Sequence, residues 1–170
     1  MRKRVFALAL VLCSFLHGSP TFPPLALYTL KGEMSSLPSG QKELVFVGCR
    51  GEARRALTRW YTLFCEQQGI IGRLSVRVVP VFPSFMGNRF FRQPLMALIR
   101  QRIPEHLSHH VSVLFSNAEE TASLFHLSYR ELEQLQVFLV DEKGKILWNA
   151  SGEPTSQSIR QLKQIVAGGS

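Results

Sequence analysis

The sequence predicts an α/β fold in which a central mixed sheet carries helices on both faces. Three observations predict it: short apolar or β-branched runs alternate with amphipathic stretches, two late runs flank a glycine-containing turn, and a final amphipathic stretch follows them. The length of 170 residues fits one domain with a short tail, and 45% apolar residues are enough for a packed core. No run reaches the roughly 18 apolar residues of a membrane-spanning helix, so a bundle of such helices is not expected.

The N-terminal residues have the pattern of a secretory signal peptide. Cations at positions 2–4 precede an apolar run at 5–16, and small or turn-forming residues follow at 18–20. We therefore expect export, with the bacterial periplasm as the compartment. Removing the segment takes three cations from a formal net charge of +8, so the mature chain stays moderately basic. The expected organisation is a signal peptide at 1–19, a lead-in strand and loop at 20–42, and the main domain at 43–170.

The first elements are two strands and a helix. Residues 25–31 form a short predicted strand, and 32–41 hold Gly, Ser and Pro in the proportions of a loop. The run ELVFVG at 43–48 indicates a strand buried on both faces. An amphipathic helix ending near Gly69 should follow, because apolar residues recur at helical spacing at Ala53, Ala56, Leu57, Trp60, Tyr61 and Phe64.

The middle of the chain predicts a strand and then a helix. Residues 74–82 are rich in valine and indicate a strand, with Pro80 and Pro83 marking its end. A helix is expected over 88–102, with Pro94 starting its main segment.

The last elements form a short αβ unit, a hairpin and a terminal helix. A strand is expected at 110–115 and a short helix at 118–127. Strands at 136–141 and 146–149 enclose the turn EKGK and predict a β-hairpin. Ile, Leu and Val at helical spacing predict a final helix over 156–166.

The closing part of the chain resembles the thioredoxin-like redoxins. The segment VFLVDEKGKILWNASG at 137–152 is similar to their closing hairpin, and AEETASLFHL stands in the place of their short helix. RQRIPEH at 100–106, together with that hairpin, resembles the Atp10 family of ATP-synthase assembly factors. Periplasmic redoxin-like proteins of the YtfJ type have a similar hairpin and a signal peptide. The resemblance covers roughly 43–166 and implies a thioredoxin-like domain that binds a protein partner during assembly of a membrane complex. We expect no cofactor.

Cys49 is the one candidate catalytic residue. It follows the strand 43–48 and precedes the predicted helix, where backbone amides favour a thiolate, and the neighbouring Arg50 adds positive charge. In redoxins the nucleophilic cysteine occupies this corner. The next residues are Arg50, Gly51 and Glu52, however, so the second cysteine of a C-x-x-C motif is missing from the sequence.

Three further features argue against an enzyme. Cys65 lies about 24 Å along the same predicted helix, beyond the roughly 7 Å between Cα atoms that a disulfide allows. The position that holds the cis-proline of active thioredoxins is Leu135 followed by Gln136. The residues before Cys49 also lack the Pro and Thr or Ser of one-cysteine peroxidases. We therefore expect a non-catalytic binding protein, and the alternative is a single-cysteine thiol oxidoreductase or peroxidase.

Two surfaces are candidates for binding a partner. Two helices are rich in arginine, and they predict contact with an acidic protein or anionic lipid headgroups, the alternative being an ordinary solvated face. The arginines of the first helix are Arg50, Arg54, Arg55 and Arg59, and those of the second are Arg89, Arg92, Arg100 and Arg102. The segment 80–98 combines Phe, Met and Pro and predicts an exposed apolar patch that binds a protein. Nucleic acid is not an expected partner, because no binding motif is present.

A cluster of three histidines raises the question of a metal site. His106, His109 and His110 are of a ligand type that suits zinc or copper. If the last two enter a strand, their side chains should point to opposite faces. We therefore predict a polar loop and no metal.

Overall fold

The computed structural model describes residues 20–48, 52–66, 74–103 and 105–168. The predicted signal peptide lies outside them. The strands are β1 Leu25–Thr29, β2 Met34–Leu37, β3 Glu43–Gly48, β4 Ser75–Phe82, β5 Ser112–Phe115, β6 Gln136–Val140 and β7 Ile146–Ser151. The helices are α1 Glu52–Glu66, α2 Arg89–Arg102, α3 Glu105–Ser108, α4 Ala118–Phe125 and α5 Ser156–Gly168, with 3-10 turns at Ser84–Gly87 and Glu131–Glu133.

The described strands form one seven-stranded sheet in the order β2-β1-β5-β4-β3-β6-β7. Strands β3, β4 and β5 are parallel, and each of the remaining strands is antiparallel to its neighbours. The sheet is therefore mixed, as predicted. The parallel strands bring their carboxyl ends, at Gly48, Phe82 and Phe115, to the same edge of the sheet. Ligands of α/β sheets commonly bind at such an edge.

The central strand β3 is buried on both faces, which explains its unbroken apolar sequence. Leu44 and Phe46 pack with residues of α1 and α5 on one face of the sheet. Val45 and Val47 pack with Phe125 of α4 on the other face. Met96 of α2 joins a third cluster that borders the α1 side through Val78, a residue packed against both clusters. Helices thus cover both faces, as the sequence indicates.

The first described residues are held by the closing hairpin. The Phe22 N–H donates to the carbonyl oxygen of Gly144 at 2.9 Å, and the Ile146 N–H donates to that of Pro20 at 2.9 Å. The Phe22 ring is 3% exposed and lies edge-on to Phe125 and Phe138, with centroids 5.2 and 5.0 Å away. Residues far apart in sequence therefore share one core.

Strand β2 corrects the prediction of a loop at 32–41. It pairs antiparallel with β1, with Leu25 opposite Leu37, and Leu37 is fully buried. Its sequence MSSL has too few apolar residues to show the strand period. Long-range pairing with β1 and burial of Leu37 decide its structure, and local propensity does not.

The two prolines predicted to bound elements lie inside them. Pro80 is paired with Gly48 of β3, and on its other side β4 bridges β5 at Val78–Val111 and pairs with it again from Val81. The missing N–H of Pro80 is tolerated because it falls in the gap between these two contacts with β5. Pro94 lies within α2, which begins earlier because the Asn88 side chain accepts a hydrogen bond from the Phe90 N–H at 3.2 Å. No described helix is long and apolar enough to span a membrane.

Candidate functional site

The candidate site is the carboxyl end of β3, where the predicted helix-start cysteine would lie. Cys49 and Arg50 fall between Gly48 and Glu52, outside the described residues, so their assigned roles stay predictions. The described neighbours are apolar. A Cβ placed on Gly48 would lie 3.2 Å from Ala53 Cβ and 3.9 Å from Leu135 Cδ1. The buried Leu135 thus lies beside the residue that precedes the cysteine, and both line one small pocket.

No proline stands beside this site at the start of β6. The residue before β6 is Leu135, as the sequence shows. The cis peptide bond found among the described residues joins Leu37 and Pro38, ahead of β3 in the chain. Leu135 places a buried hydrocarbon side chain at the position where active thioredoxins hold a cis-proline.

An apolar cavity extends from this corner across β4 to α2. A small pocket of about 150 Å³ beside Gly48 shares four lining residues with a larger cavity of about 460 Å³. We call the larger one the α1–α2 cavity. The shared residues are Arg54, Leu57, Val78 and Pro80. The volume of the α1–α2 cavity lies in the roughly 300–1,000 Å³ range of small-molecule sites.

The lining of the α1–α2 cavity comes from three separate elements. Leu57 and Tyr61 of α1 form one wall, Val78 and Phe82 of β4 form the floor, and Ile99 of α2 belongs to the opposite wall. Arg102, at the end of α2, also lines it. Sequence reasoning missed this cavity, because no local pattern links residues so far apart in the chain.

Most polar groups of the cavity are already engaged. The Thr58 hydroxyl donates to the Arg54 carbonyl oxygen, and the Thr62 hydroxyl donates to that of Thr58, each at 3.0 Å. His110 Nδ1 lies 3.0 Å from the Val76 carbonyl oxygen, which can only accept, so Nδ1 carries a proton and donates. Burial, followed by the charge of the neighbouring His109, lowers the pKa of His110 from its ordinary value of 6.5. The ring is therefore neutral at pH 7.

The described arginines of α1 do not share one surface. Arg54 lines the α1–α2 cavity. Arg55 lines a separate cleft with Gln134 and Glu153. Arg59 forms an exposed ion pair with Glu153. The arginines predicted to bind a partner therefore lie at two separate places, with Arg54 at the cavity and Arg55 and Arg59 near Glu153. Their role in binding stays a prediction.

Four exposed apolar side chains lie on and beside α2, in the segment that the sequence predicts to bear an apolar patch. We call them the aromatic patch: Phe85, Phe90, Phe91 and Leu98, which are 61%, 84%, 56% and 45% exposed. The rings of Phe85 and Phe91 meet edge-on with centroids 6.1 Å apart. Met96 of the same helix faces the core. Helix α2 therefore has apolar side chains on both its outer, exposed side and its inner, buried side.

The prediction that the side chains of His109 and His110 point to opposite faces is wrong. Their ring centroids lie 3.8 Å apart, so the side chains do not point to opposite faces. The reason is that β5 begins only at Ser112, and the two histidines lie in the turn before it. Within the described residues, no group of three or more His, Cys, Asp or Glu side chains could hold a metal ion.

Neither protein-family models nor curated proteins match the chain. Solved structures do match it. BsSco, a member of the Sco family of cytochrome c oxidase assembly proteins, has a TM-score of 0.57 at 14% identity, covering 88% of this chain and 93% of its own. A putative thiol:disulfide interchange protein DsbE from Chlorobium tepidum has a TM-score of 0.55 at 19% identity, covering 89% and 97%. The exposed lipoprotein thioredoxin of Streptococcus pneumoniae has a TM-score of 0.53 at 13% identity, covering 84% and 98%.

These similarities confirm the predicted fold class: the chain has a thioredoxin-like fold. At identities below 20% they show the fold alone. The finer resemblance to ATP-synthase assembly factors finds no support in them and stays a hypothesis.

Proposed function

We propose that this protein is an exported, non-catalytic thioredoxin-like module that binds a protein partner through the aromatic patch. The observation that carries the proposal is the exposure of three phenylalanines on and beside one helix, with Phe90 84% exposed. Contiguous exposed apolar side chains on a soluble protein mark an interaction site. Burying aromatic side chains supplies much of the binding energy of protein interfaces.

The charges around the patch indicate the chemistry of the partner. Helix α2 contains four arginines and no acidic residue. Two of them are tied to the domain: Arg92 stacks over the Tyr28 ring at 4.4 Å, and Arg100 donates to the Leu30 carbonyl oxygen. Arg89 and Arg102 are exposed at the two ends of the helix. A partner with an apolar contact region and an acidic rim therefore fits best.

The likeness to known proteins supports a role outside the cytoplasm in assembly of a membrane complex. BsSco belongs to a family of cytochrome c oxidase assembly proteins, and the pneumococcal protein is an exposed lipoprotein. The basic and apolar N-terminal pattern supports export. The sequence Cys49-Arg50-Gly51-Glu52 supports the absence of dithiol exchange, because no resolving cysteine follows at C-x-x-C spacing.

A photo-crosslinking amino acid at position 90 tests the proposal in the native host. We expect it to capture one protein of the membrane fraction, and we expect Phe91→Ser to abolish the crosslink. The matched control is the same crosslinker at Tyr129, which is 62% exposed and follows α4, the helix on the other face of the sheet. Capture of the same products from both positions would show that the patch has no dedicated partner.

A single-cysteine thiol enzyme is the second candidate. The cavity beside Gly48, the residue before Cys49, favours it, as does the fold likeness to a thiol:disulfide interchange protein. Under our proposal the purified protein does not accelerate the reduction of insulin by dithiothreitol, and Cys49→Ser leaves crosslinking from position 90 unchanged. Acceleration that disappears in Cys49→Ser would establish the enzyme instead.

A further inference from the structure

We propose that the partner presents an amphipathic helix to α2, with apolar side chains on the contacting side and acidic residues near the two ends of that side. This inference rests on the proposed function, because it names the part of the partner that the aromatic patch binds.

The outward side of α2 is one continuous apolar strip. Successive residues of a helix are turned by about 100°, so residues 90, 91, 94, 97 and 98 fall within a sector of about 120°. Each of them is exposed, whereas Met96 lies on the opposite side and is buried. We call this surface the α2 strip: Phe90, Phe91, Pro94, Ala97 and Leu98. At 1.5 Å per residue it is about 12 Å long, which is about two turns of helix.

The relief of the α2 strip suits a second helix. Along the helix axis, the small side chain of Pro94 lies between the rings of Phe90 and Phe91 and the branched side chain of Leu98. The middle of the strip is therefore lower than its ends. Helices pack by placing the side-chain ridge of one into the groove of the other, and such a ridge fits this depression.

The backbone of the occupant also favours a helix over an extended segment. The α2 strip presents carbon, so it supplies no partners for the N–H and C=O groups of an extended chain. Strands β1, β4 and β5, which share a core cluster with α2, are each paired on both sides and offer no free edge to an added strand. A helix forms its own backbone hydrogen bonds, so it can bury one side against carbon without leaving those groups unpaired.

The charges at the ends of the α2 strip indicate acidic residues on the occupant. Arg89 and Arg102 are exposed at the two ends of α2, about 20 Å apart along its axis. Neither takes part in an ion pair within the described residues. Helix α2 has no acidic residue of its own. Carboxylates near both ends of the partner's helix would therefore meet unpaired guanidinium groups.

The same charges count against two other occupants. Two copies of α2 would bring like charges together, so a second copy of this chain fits poorly. An anionic membrane holds a protein through clusters of about four to eight cations. Here Arg92 is held against the Tyr28 ring and Arg100 donates to the Leu30 carbonyl oxygen, which leaves only the two terminal arginines of α2 free for a partner. A protein helix is therefore the favoured occupant.

Selection of a displayed library of random peptides on the purified full chain tests the inference, with peptides of about 16 residues, or about four helical turns. We expect the enriched peptides to place apolar residues at positions i, i+3, i+4 and i+7, with Asp or Glu near both ends. Phe91→Ser combined with Leu98→Ser should abolish the enrichment. The matched control is Tyr129→Ser, since Tyr129 is 62% exposed and follows α4 on the other face of the sheet. Circular dichroism melts verify that every variant is folded.

Fluorescence anisotropy with one enriched peptide then tests the helix and its charges separately. We expect the helical circular dichroism signal of the peptide to rise on binding. Binding should weaken by about tenfold or more when Arg89→Glu and Arg102→Glu are combined. Replacing the terminal acidic residues of the peptide by lysine should restore binding to this double variant, which a general loss of structure in α2 would not allow.

The inference is overturned if no peptide is enriched, if the enriched peptides are proline-rich or alternate apolar and polar residues, or if charge reversal changes nothing. It is also overturned if the full chain dimerises, or sediments with phosphatidylglycerol but not phosphatidylcholine vesicles, and the Phe91→Ser, Leu98→Ser variant does not. A dedicated crosslink from position 90 in any of these cases leaves a protein partner standing without the helix. Enrichment of acidic helical peptides without a dedicated crosslink would overturn the proposed function, and this inference with it.

Discussion

Trp60 and Trp148 allow the contribution of a buried indole hydrogen bond to be measured inside one core. Their ring centroids lie 6.2 Å apart, and the residues are 2% and 8% exposed. Trp60 Nε1 donates to the Gly152 carbonyl oxygen at 3.0 Å. Trp148 Nε1 is buried and has no hydrogen-bond partner in the described part of the chain. Replacing each by phenylalanine therefore removes a paired N–H in one variant and an unpaired N–H in the other.

The expected magnitudes follow from this difference. Both substitutions exchange an indole for a smaller phenyl ring in the same cluster, so the losses of packing energy are similar. Trp60→Phe also loses a hydrogen bond, at about 0.5–1.5 kcal/mol, whereas Trp148→Phe removes an unpaired buried donor that costs about 1–3 kcal/mol. Trp60→Phe should therefore be less stable than Trp148→Phe by about 1.5–4.5 kcal/mol.

Urea denaturation followed by circular dichroism measures both free energies of unfolding. The comparison is valid if the two variants share one denaturant slope. Arg55→Ala, at an exposed position of α1, serves as a control and should lie within about 0.5 kcal/mol of the parent. Equal destabilisation of the two tryptophan variants, or a larger loss in Trp148→Phe, would refute the reasoning.

Three further predictions concern charge, protonation and backbone. Glu43→Ala leaves the largely buried Arg77, 2.9 Å away, without its carboxylate partner, so urea melts should show a loss of about 3–5 kcal/mol in the free energy of unfolding. Glu153→Ala, in the exposed pair, should cost less than about 1 kcal/mol, and similar losses in the two variants would contradict the prediction. Because the pKa of His110 is lowered on folding, the unfolded chain binds the proton first, and stability falls as the pH drops below about 6.5. The melting temperature should fall further in the parent than in His110→Gln between about pH 7 and pH 5, and parallel falls would count against it. Gly144 has φ +87°, and the Cβ of an alanine there would lie 3.1 Å from a proline ring. Gly144→Ala should therefore lower the free energy of unfolding by about 1 kcal/mol or more in thermal melts. An unchanged melting temperature would show that the turn relaxes.

Elements with a strong local period were predicted from the sequence. Strand β3 has the predicted bounds, and α1 buries Trp60 and Phe64 as its apolar stripe requires. The hairpin of β6 and β7 and the helix α5 also lie where the pattern placed them. In each case the signal is contained within a dozen or so residues, so no distant contact is needed to recognise it.

The misses share a dependence on distant residues. Strand β2 is defined by pairing with β1, and Pro80 is tolerated because it lies in a gap in the pairing of β4 with β5. The histidine pair was placed wrongly because the start of β5 depends on its neighbours. The same limit applies to the site: composition alone indicated the aromatic patch, whereas the α1–α2 cavity exists only once α1, β4 and α2 are assembled.

The contacts between Phe22 and the closing hairpin limit the order in which the chain can fold. The Phe22 N–H donates to Gly144, and its ring packs on Phe138, more than a hundred residues later in the sequence. A chain synthesised from its N-terminus cannot close this side of the core until the hairpin has been made. Such closure from end to end slows folding and leaves the early strands open to other proteins in the interval. A helper that shields β1 and β2 during that interval would raise the yield of folded protein.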